Sequence, residues 1–272
     1  MKYLGFVLIF LITGVLSAQE NAAPPVPVTL KNTQAFTLHS QGLETTYVIK
    51  VYLPEGYETS NKQYPVLYLL DGDHAFAMAT DIVTYLQYGG HTPELIIVSP
   101  SYDDKHGPAE GGNNQRQRDF SPFKWSGAPA DPRAAQYFAF FKDTLITHID
   151  RTYRTLPTER ALWGYSRSGL FVLWTLFEKP GVFNKYIVLD TGFQAFAEIE
   201  SAYHARHNTL DAALYIGYGS LGNGKNDLAF METLASRNYK KFRYTYQALQ
   251  GEKHLIIPAA GLAQGLAFIY QK

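Results

Sequence analysis

The alternation of buried strands and helices after residue 65 is the feature that most limits what this chain can fold into. The first strand of the series, residues 66–70, is apolar at every position, which is typical of a strand covered on both faces. Further strands are predicted, in chain order, in the segments ELIIVSP, RALWG, KYIVLDTG, ALYIGYG and FRYTYQAL. Helices are predicted over residues 75–88, 134–153, 167–178, 226–237 and 259–270. Alternation of this kind indicates an α/β fold with a mostly parallel central sheet and helices on both faces.

Two segments before this series alternate apolar and polar residues. They are TQAFTLHS, residues 33–40, and TTYVIKVYLPEGY, residues 45–57. Such alternation predicts strands with one buried and one exposed face. We therefore expect them to form an antiparallel N-terminal edge of the same sheet.

One long polar segment, residues 101–133, interrupts the series and is rich in glycine and proline. A loop of this length inside a compact domain is usually functional or disordered. Because it follows the carboxyl end of a predicted strand, it is expected where open α/β sheets bind ligands. We interpret it as a loop insertion that forms a wall or lid of a substrate cleft.

The N-terminus has the pattern of a secretory signal peptide. Lys2 precedes an apolar run over residues 4–16, and the small residues Ser17 and Ala18 follow it. A membrane anchor is the alternative, but a span needs about 20 apolar residues and this run is shorter. The sequence predicts a signal peptide over residues 1–18, a single domain over 19–272, export to the periplasm or the cell exterior, and no membrane association after cleavage.

Charge and cysteine content exclude several classes of function. Basic and acidic residues number 24 each, so the chain lacks the basic surface expected of a nucleic-acid-binding protein. It contains no cysteine, which rules out disulfides and thiolate catalysis. Composition does not determine the oligomeric state.

Ser166 lies in the hexapeptide GYSRSG, between the predicted strand RALWG and a predicted helix. A strand that turns sharply into a helix at G-x-S exposes the serine hydroxyl, and the helix N-terminus favours developing negative charge. Ser166 is the candidate nucleophile for acyl transfer. The alternative is a serine that only caps the helix.

A nucleophilic serine needs a base, and His254 is the candidate. It lies between the last predicted strand and the last predicted helix, after Ser166 in the chain, as in the order serine, acid, histidine of α/β-hydrolases. The other histidines are interpreted as surface residues. The pair His204 and His207 has no accompanying ligands that would predict a metal site.

The acid that orients the histidine has several candidates. Asp227 follows the strand ALYIGYG and is our first choice. Asp190, at the end of the strand YIVLD, is the main alternative, because strand ends meet in one cleft. Glu252 is the third candidate, and a Ser-His dyad without an acid also remains open.

An oxyanion hole requires two backbone N–H groups aimed at the developing charge. Arg167, which follows the nucleophile, is expected to supply one. The other is expected from Asp73, in the turn DGDH after the strand VLYLL. The turn itself needs no functional explanation, but its position relative to Ser166 favours this role.

The sequence resembles the putative-esterase family of α/β-hydrolases, which includes siderophore esterases, feruloyl esterases, S-formylglutathione hydrolases and mycolyltransferases. The likeness covers residues 43–270 and is greatest to the siderophore-esterase-like and feruloyl-esterase-like branch. It is carried by the segments VIKVYLPEGY, YPVLYLLDGD, RQRDFSP, GYSRSGLF and GEKHLIIPAAGLAQGLAFIY. The resemblance implies an α/β-hydrolase fold in which Ser166 is the nucleophile and His254 is the base. It also implies that Asp73 and Arg167 are the oxyanion donors.

The chain departs from this family at two positions. The family usually has glycine where Ser168 stands, and often an acidic residue where Gly222 stands. The first change is tolerable because serine is a small residue. The second weakens the assignment of the family's acidic residue to a position in this chain. In the family motif RDFSP, Arg118 and Asp119 are interpreted first as an ion pair that fixes the loop.

These observations predict an exported serine esterase that acts on a small-molecule ester and needs no metal and no organic cofactor. The candidate substrate-binding residues are Arg116, Arg118 and Trp125, all in the segment 101–133. Two alternatives remain: an acyltransferase to a sugar or alcohol, and a catalytically silent glycan- or siderophore-binding protein. The sequence does not identify the ester.

Overall fold

The computed structural model describes residues 24–102, 112–124, 131–192, 196–222 and 228–271. The chain divides into two compact units, residues 1–30 and 31–272. In the first unit, residues 24–30 are described and have no helix or strand. The predicted signal peptide lies outside the described residues. The domain boundaries of the sequence analysis therefore stay predictions.

The described part of the second unit contains eight strands and eight α-helices. The strands are β1 Thr33–Ser40, β2 Thr45–Tyr52, β3 Tyr64–Leu69, β4 Ile96–Ser101, β5 Thr155–Tyr165, β6 Lys185–Leu189, β7 Thr209–Gly219 and β8 Lys240–Leu249. The helices are α1 Gly72–Tyr88, α2 Gly112–Asp119, α3 Ala134–Ala139, α4 Thr147–Thr152, α5 Arg167–Glu178, α6 Ala197–His204, α7 Leu228–Ser236 and α8 Ile257–Ile269. A π-helical stretch, Phe140–Ile146, joins α3 to α4, and Tyr57–Thr59 forms a 3₁₀ turn.

The strands form one sheet in the order β1-β2-β4-β3-β5-β6-β7-β8. The pairs β1–β2 and β2–β4 are antiparallel, and all pairs from β4 to β8 are parallel. This arrangement confirms the predicted fold class, a mostly parallel sheet with an antiparallel N-terminal edge. Within the described ranges, no helix combines the length and the apolar character needed to cross a membrane.

Successive residues of the central strands pack against opposite faces of the sheet. On β5, Leu162 belongs to the apolar cluster that contains α5, whereas Trp163 belongs to the cluster that contains α1 and α8. Both residues are at most 1% exposed. Burial on both faces explains why the central strands are continuously apolar in sequence.

Two helices, α2 and α6, were not predicted from the sequence. Helix α2 lies inside the segment 101–133, which was predicted to be a loop, so that prediction is wrong for Gly112–Asp119. Its sequence, GNNQRQRD, has no apolar residue and therefore no helical periodicity. Helix α6 precedes His207 and ends at His204, in a segment without a predicted helix or strand, and it buries Glu200 against Arg237. Helix α2 is held by polar contacts, so apolar periodicity cannot detect it. Helix α6 is short and combines the buried Tyr203 with the Glu200–Arg237 ion pair.

The parallel strands bring the candidate residues to one edge of the sheet. Tyr165 ends β5 directly before Ser166, and Leu189 ends β6 directly before Asp190. Strand β8 ends shortly before the turn that carries His254 and leads into α8. The carboxyl ends of parallel strands lie together, where open α/β sheets bind ligands.

Candidate active site

Ser166 occupies a strained turn between β5 and α5. Its φ of 56° and ψ of −116° lie in a region that residues with a side chain rarely adopt. Two hydrogen bonds hold the turn: Ser166 N–H donates to Leu189 O at 2.8 Å, and Thr191 Oγ1 donates to Ser166 O at 2.7 Å. A Cβ on Gly164 would lie 2.6 Å from the carbonyl oxygen of Ser168. Only glycine fits at position 164.

Ser168, which stands where the family usually has glycine, is fully buried under this turn. Its hydroxyl donates to Asp71 Oδ2 at 2.6 Å and accepts from the backbone N–H of Tyr165 at 2.8 Å. The side chain therefore ties the serine turn to the end of β3. The departure from glycine adds hydrogen bonds here instead of leaving a buried hydroxyl without a partner.

His254 lies between Ser166 and Asp190. Its Nε2 is 3.1 Å from Ser166 Oγ, and its Nδ1 is 2.5 Å from Asp190 Oδ2. The second carboxylate oxygen, Asp190 Oδ1, accepts a hydrogen bond from Gly219 N–H at 3.2 Å. The Asp190 side chain is 8% exposed and that of His254 is 47% exposed. This is the order of contacts expected of a nucleophile, a base and a residue that orients the base.

The three carboxylates proposed from sequence differ in where the structure places them. Asp190, the main alternative, is the one that contacts the His254 imidazole. Glu252 interacts through its backbone, with its carbonyl accepting from Leu221 N–H. Asp227, the first choice, lies outside the described residues. The sequence signal for Asp190 was its position directly after the buried strand that ends at Leu189. Asp227 also follows a strand, at a longer distance, so the sequence did not select Asp190.

Tyr165 was not singled out from the sequence, yet it contacts His254 twice. The two rings lie 4.8 Å apart between centroids at an interplanar angle of 33°. The Tyr165 hydroxyl donates to the backbone carbonyl of His254 at 2.5 Å. Burial, followed by the negative charge of Asp190, raises the pKa of Tyr165 to about 12. The phenol is therefore protonated at neutral pH and remains a hydrogen-bond donor.

Arg116 forms a bidentate ion pair with Asp71. Its Nε lies 2.5 Å from Asp71 Oδ1 and its Nη2 lies 2.9 Å from Oδ2. Nη2 also donates to the carbonyl of Tyr165 at 3.1 Å. Burial disfavours the charged guanidinium, but the adjacent Asp71 carboxylate outweighs this effect and raises the pKa of Arg116. The predicted substrate-binding arginine thus also supports the peptide that precedes Ser166.

Arg118 and Asp119 anchor α2 to β2. Arg118 Nε lies 2.7 Å from Asp119 Oδ1, and its Nη2 donates to Thr45 Oγ1 at 3.0 Å. Asp119 is fully buried and accepts from the Tyr47 hydroxyl at 2.6 Å. The ion pair interpreted from the sequence is present. Trp125, the third predicted substrate-binding residue, lies outside the described residues.

The two residues predicted as oxyanion donors lie in the first turns of helices. Arg167 is the first residue of α5, and Asp73 is the second residue of α1. The dipole of each helix makes its N-terminal end attractive to negative charge. The Asp73 carboxylate accepts from Tyr102 N–H at 3.0 Å.

A cavity of about 580 Å³ opens beside Ser166 and His254. We call it the α1–α8 cavity. The residues that line it are Asp71, His74, Ala75, Met78, Arg116, Trp163, Tyr165, Ser166, His254, Leu255, Ile256, Pro258 and Ala259. Its volume is in the range of small-molecule sites. Among the described residues, in this cavity or outside it, no group of three or more His, Cys, Asp or Glu side chains is arranged to hold a metal ion.

Comparison with known proteins gives one family and several relatives. A family model described as Putative esterase matches residues 40–256. The ferri-bacillibactin esterase BesA of Bacillus subtilis (strain 168) is 30% identical over 175 residues, which are 58% of each chain. The siderophore triacetylfusarinine C esterase of Aspergillus fumigatus is 29% identical over 172 residues, 60% of this chain and 56% of that protein. The match thus spans less than three fifths of the length of these curated relatives.

Solved structures share the fold. The crystal structure of the BES protein from Bacillus cereus superposes with a TM-score of 0.78 at 22% identity. The alignment covers 92% of this chain and 99% of that one. At this level of identity the likeness shows the architecture alone, and it confirms the α/β-hydrolase fold expected from the sequence.

Proposed function

The chain belongs to the putative esterase family, and from that premise we propose that it hydrolyses carboxylic esters through an acyl-enzyme on Ser166. The observation that carries this proposal is the line of contacts from Ser166 Oγ through His254 to Asp190, at 3.1 Å and 2.5 Å. Both distances are within the reach that proton transfer and histidine orientation require. The strained turn at Ser166 supports the same role.

In the first half of the reaction, His254 Nε2 removes the hydroxyl proton of Ser166 while Oγ bonds to the ester carbonyl carbon. The carbonyl π electrons move to oxygen, and the N–H groups of Arg167 and Asp73 are the proposed donors that stabilise that oxyanion. When the carbonyl re-forms, the bond to the alcohol oxygen breaks. His254 then gives its proton to the departing alcohol, which leaves the acyl group on Ser166.

In the second half, water takes the place of the alcohol. His254 removes a proton from the water as its oxygen attacks the acyl carbon, and then protonates Ser166 Oγ as the acid leaves. Asp190 accepts the Nδ1–H hydrogen bond of His254, which keeps Nε2 free to act as base and stabilises the imidazolium. We propose Asp190 as this acid because its carboxylate is the one in contact with the imidazole.

The substrate class is proposed from the relatives and is a small-molecule ester. Both curated relatives are named as siderophore esterases, one of ferri-bacillibactin and one of triacetylfusarinine C. Siderophore esters are therefore the first compounds to test, beside aryl, feruloyl and acetyl-sugar esters. We also propose export, supported by the apolar run at residues 4–16 and by Ser17 and Ala18. The mass of the mature protein tests this directly, because cleavage near Ala18 removes the signal segment.

Steady-state hydrolysis of these esters by the wild-type protein and by Ser166→Ala tests the proposal. We expect the variant to lose activity by roughly 10³-fold or more, because the covalent step is removed. The matched control is Ser236→Ala, which removes an exposed serine hydroxyl on α7. Retention of full activity by Ser166→Ala would reject the proposal. Adding an acceptor alcohol separates hydrolysis from acyl transfer, since a transferase would form the new ester faster than the free acid.

A further inference from the structure

The walls of the α1–α8 cavity are apolar on both sides of the catalytic pair. Helix α1 contributes Ala75 and Met78 to one wall. The segment that follows His254 in the chain contributes Leu255, Ile256, Pro258 and Ala259 to the lining. The buried indole of Trp163 also lines the cavity. A substrate group in this space contacts mostly carbon.

Two large apolar side chains at the rim are exposed to solvent. Leu255 is 83% exposed and Ile256 is 58% exposed. They directly follow His254, so they border the place where the reacting ester must sit. Clustered exposed apolar residues beside a cavity mark a surface that is covered by a ligand.

The charged groups of this cavity are already engaged. The guanidinium of Arg116 is held by both oxygens of Asp71, at 2.5 Å and 2.9 Å. In this bidentate pair the guanidinium lies against a carboxylate of opposite charge, so the pair carries no net charge. Of the other described lining residues, His74 and His254 are the two with basic side chains, and His254 is engaged with Asp190. The described part of the cavity therefore offers an anionic substrate group little compensation for leaving water.

We propose that the α1–α8 cavity binds a neutral, apolar group attached directly to the scissile ester. Met78, Leu255 and Ile256 then determine which esters are turned over. This inference rests on the proposed ester hydrolysis and adds the chemistry of the group beside the reacting bond. The apolar group belongs to either the acid or the alcohol part of the ester. In either case binding is favoured for the same physical reason, because apolar surface leaves water.

Two series of esters test the inference on the full-length protein. In the first, the acyl chain of 4-nitrophenyl esters grows from acetyl to octanoyl. In the second, the alcohol of acetate esters grows from methyl to octyl. We expect kcat/KM to rise along one series, by up to roughly fourfold per methylene that leaves water. The series that rises identifies which part of the ester occupies the cavity.

A third set of substrates tests the effect of charge. It compares neutral 4-nitrophenyl esters with esters of equal chain length whose terminal methyl is replaced by a carboxylate. We expect the neutral ester to be favoured by about tenfold or more in kcat/KM, because the carboxylate has no free cation among the described lining residues. Ile256→Asp should reduce the ratio of kcat/KM between long and short esters severalfold. Ile256 is exposed, and a carboxylate at this position stays hydrated, so it removes apolar contact area from the cavity. Tyr88→Ser, which changes a 94% exposed residue outside the cavity, serves as the matched control.

The inference is overturned if kcat/KM is flat along both series, or if the carboxylate ester reacts as fast as the neutral one. It is also overturned if Ile256→Asp keeps the wild-type length preference. Each of these results requires turnover of at least one short ester, which shows that hydrolysis itself occurs. If no ester in any series is turned over, the proposed function fails and the inference fails with it.

Discussion

At the scale of single residues, the imidazole of His254 is fixed by contacts on different sides. Asp190 accepts a hydrogen bond from Nδ1, and the ring of Tyr165 lies beside the imidazole. The hydroxyl of Tyr165 also holds the backbone carbonyl of His254. Since a catalytic base works only within about hydrogen-bond distance of its proton, these contacts determine how often Nε2 faces Ser166.

Asp190→Asn should reduce kcat/KM by roughly 10²- to 10⁴-fold, because the amide no longer stabilises the imidazolium or fixes the tautomer of His254. Ester hydrolysis by the purified variant measures the loss. Asp81→Asn, an exposed carboxylate on α1, is the control. The assignment of Asp190 is wrong if Asp227→Asn causes this loss and Asp190→Asn does not.

Tyr165→Phe keeps the ring beside His254 and removes the hydrogen bond to its carbonyl. We expect kcat to fall more than KM changes, and the free energy of unfolding to fall by about 1 kcal/mol. Urea unfolding and steady-state kinetics on the same preparation measure the two effects. Tyr85→Phe, which removes the hydroxyl of an exposed tyrosine, is the control. Unchanged kcat in Tyr165→Phe would show that the hydroxyl does not position His254.

The pairing of Ser166 with His254 was predictable from sequence, whereas the contacts of His254 with Asp190 and Tyr165 were not. Ser166 and His254 are embedded in distinctive segments, GYSRSG and GEKH. Several carboxylates follow strands in this chain, so position after a strand could not select Asp190. Tyr165 occupies the variable position of G-x-S, and its contact with His254 depends on how β5 and the turn before α8 lie in space.

At the scale of elements, the turn after β5 and the turn after β3 support each other. Ser168 Oγ and the guanidinium of Arg116 both bind Asp71. The same two side chains hold the N–H and the carbonyl of Tyr165. Strained backbone persists only where its surroundings over-determine it, and this network supplies that support for Ser166.

Ser168→Ala should lower the free energy of unfolding by about 1–3 kcal/mol, because it leaves the buried N–H of Tyr165 without its partner. Urea denaturation measures the loss, with the exposed Ser236→Ala as control. We expect Ser168→Gly to be destabilised by at least as much. An unchanged unfolding free energy for Ser168→Ala would contradict the proposed support of the turn.

The turn after β7 offers a second place from which a carboxylate can reach His254. A Cβ on Gly222 would lie 3.8 Å from both carboxylate oxygens of Asp190. We therefore expect Gly222→Asp to restore about tenfold or more of the activity that Asp190→Asn removes, because an orienting acid is worth several orders of magnitude. Kinetics of the double variant measure the recovery. The idea fails if the folded double variant is no more active than Asp190→Asn alone.

The regular elements follow from local patterns, and the exceptions have a physical cause. Helix α5 begins and ends where its periodicity predicted, at Arg167 and Glu178. Helices α2 and α6 carry buried carboxylates, Asp119 and Glu200, that are paired with arginines. Because Arg237 lies 37 residues after Glu200, no local window of sequence contains this interaction.

At the scale of the whole molecule, the sheet brings together groups that are far apart in the chain. Ser166 and His254 are separated by 88 residues, and His254 and Asp190 by 64. They meet because β5, β6 and β8 run parallel and end at the same edge. The mostly parallel sheet was predictable from the alternation of strands and helices, and with it the general location of the site. The individual contacts required the structure.

The central claim is that His254 activates Ser166 as the nucleophile, and covalent labelling with a fluorophosphonate tests it most directly. The folded protein is treated with the probe, digested, and its peptides are mapped by mass spectrometry. We expect one adduct on Ser166, and labelling slowed by roughly 10²-fold or more in His254→Ala, because the serine then lacks its base. An adduct on another residue, no adduct at all, or equal labelling of His254→Ala would contradict the claim.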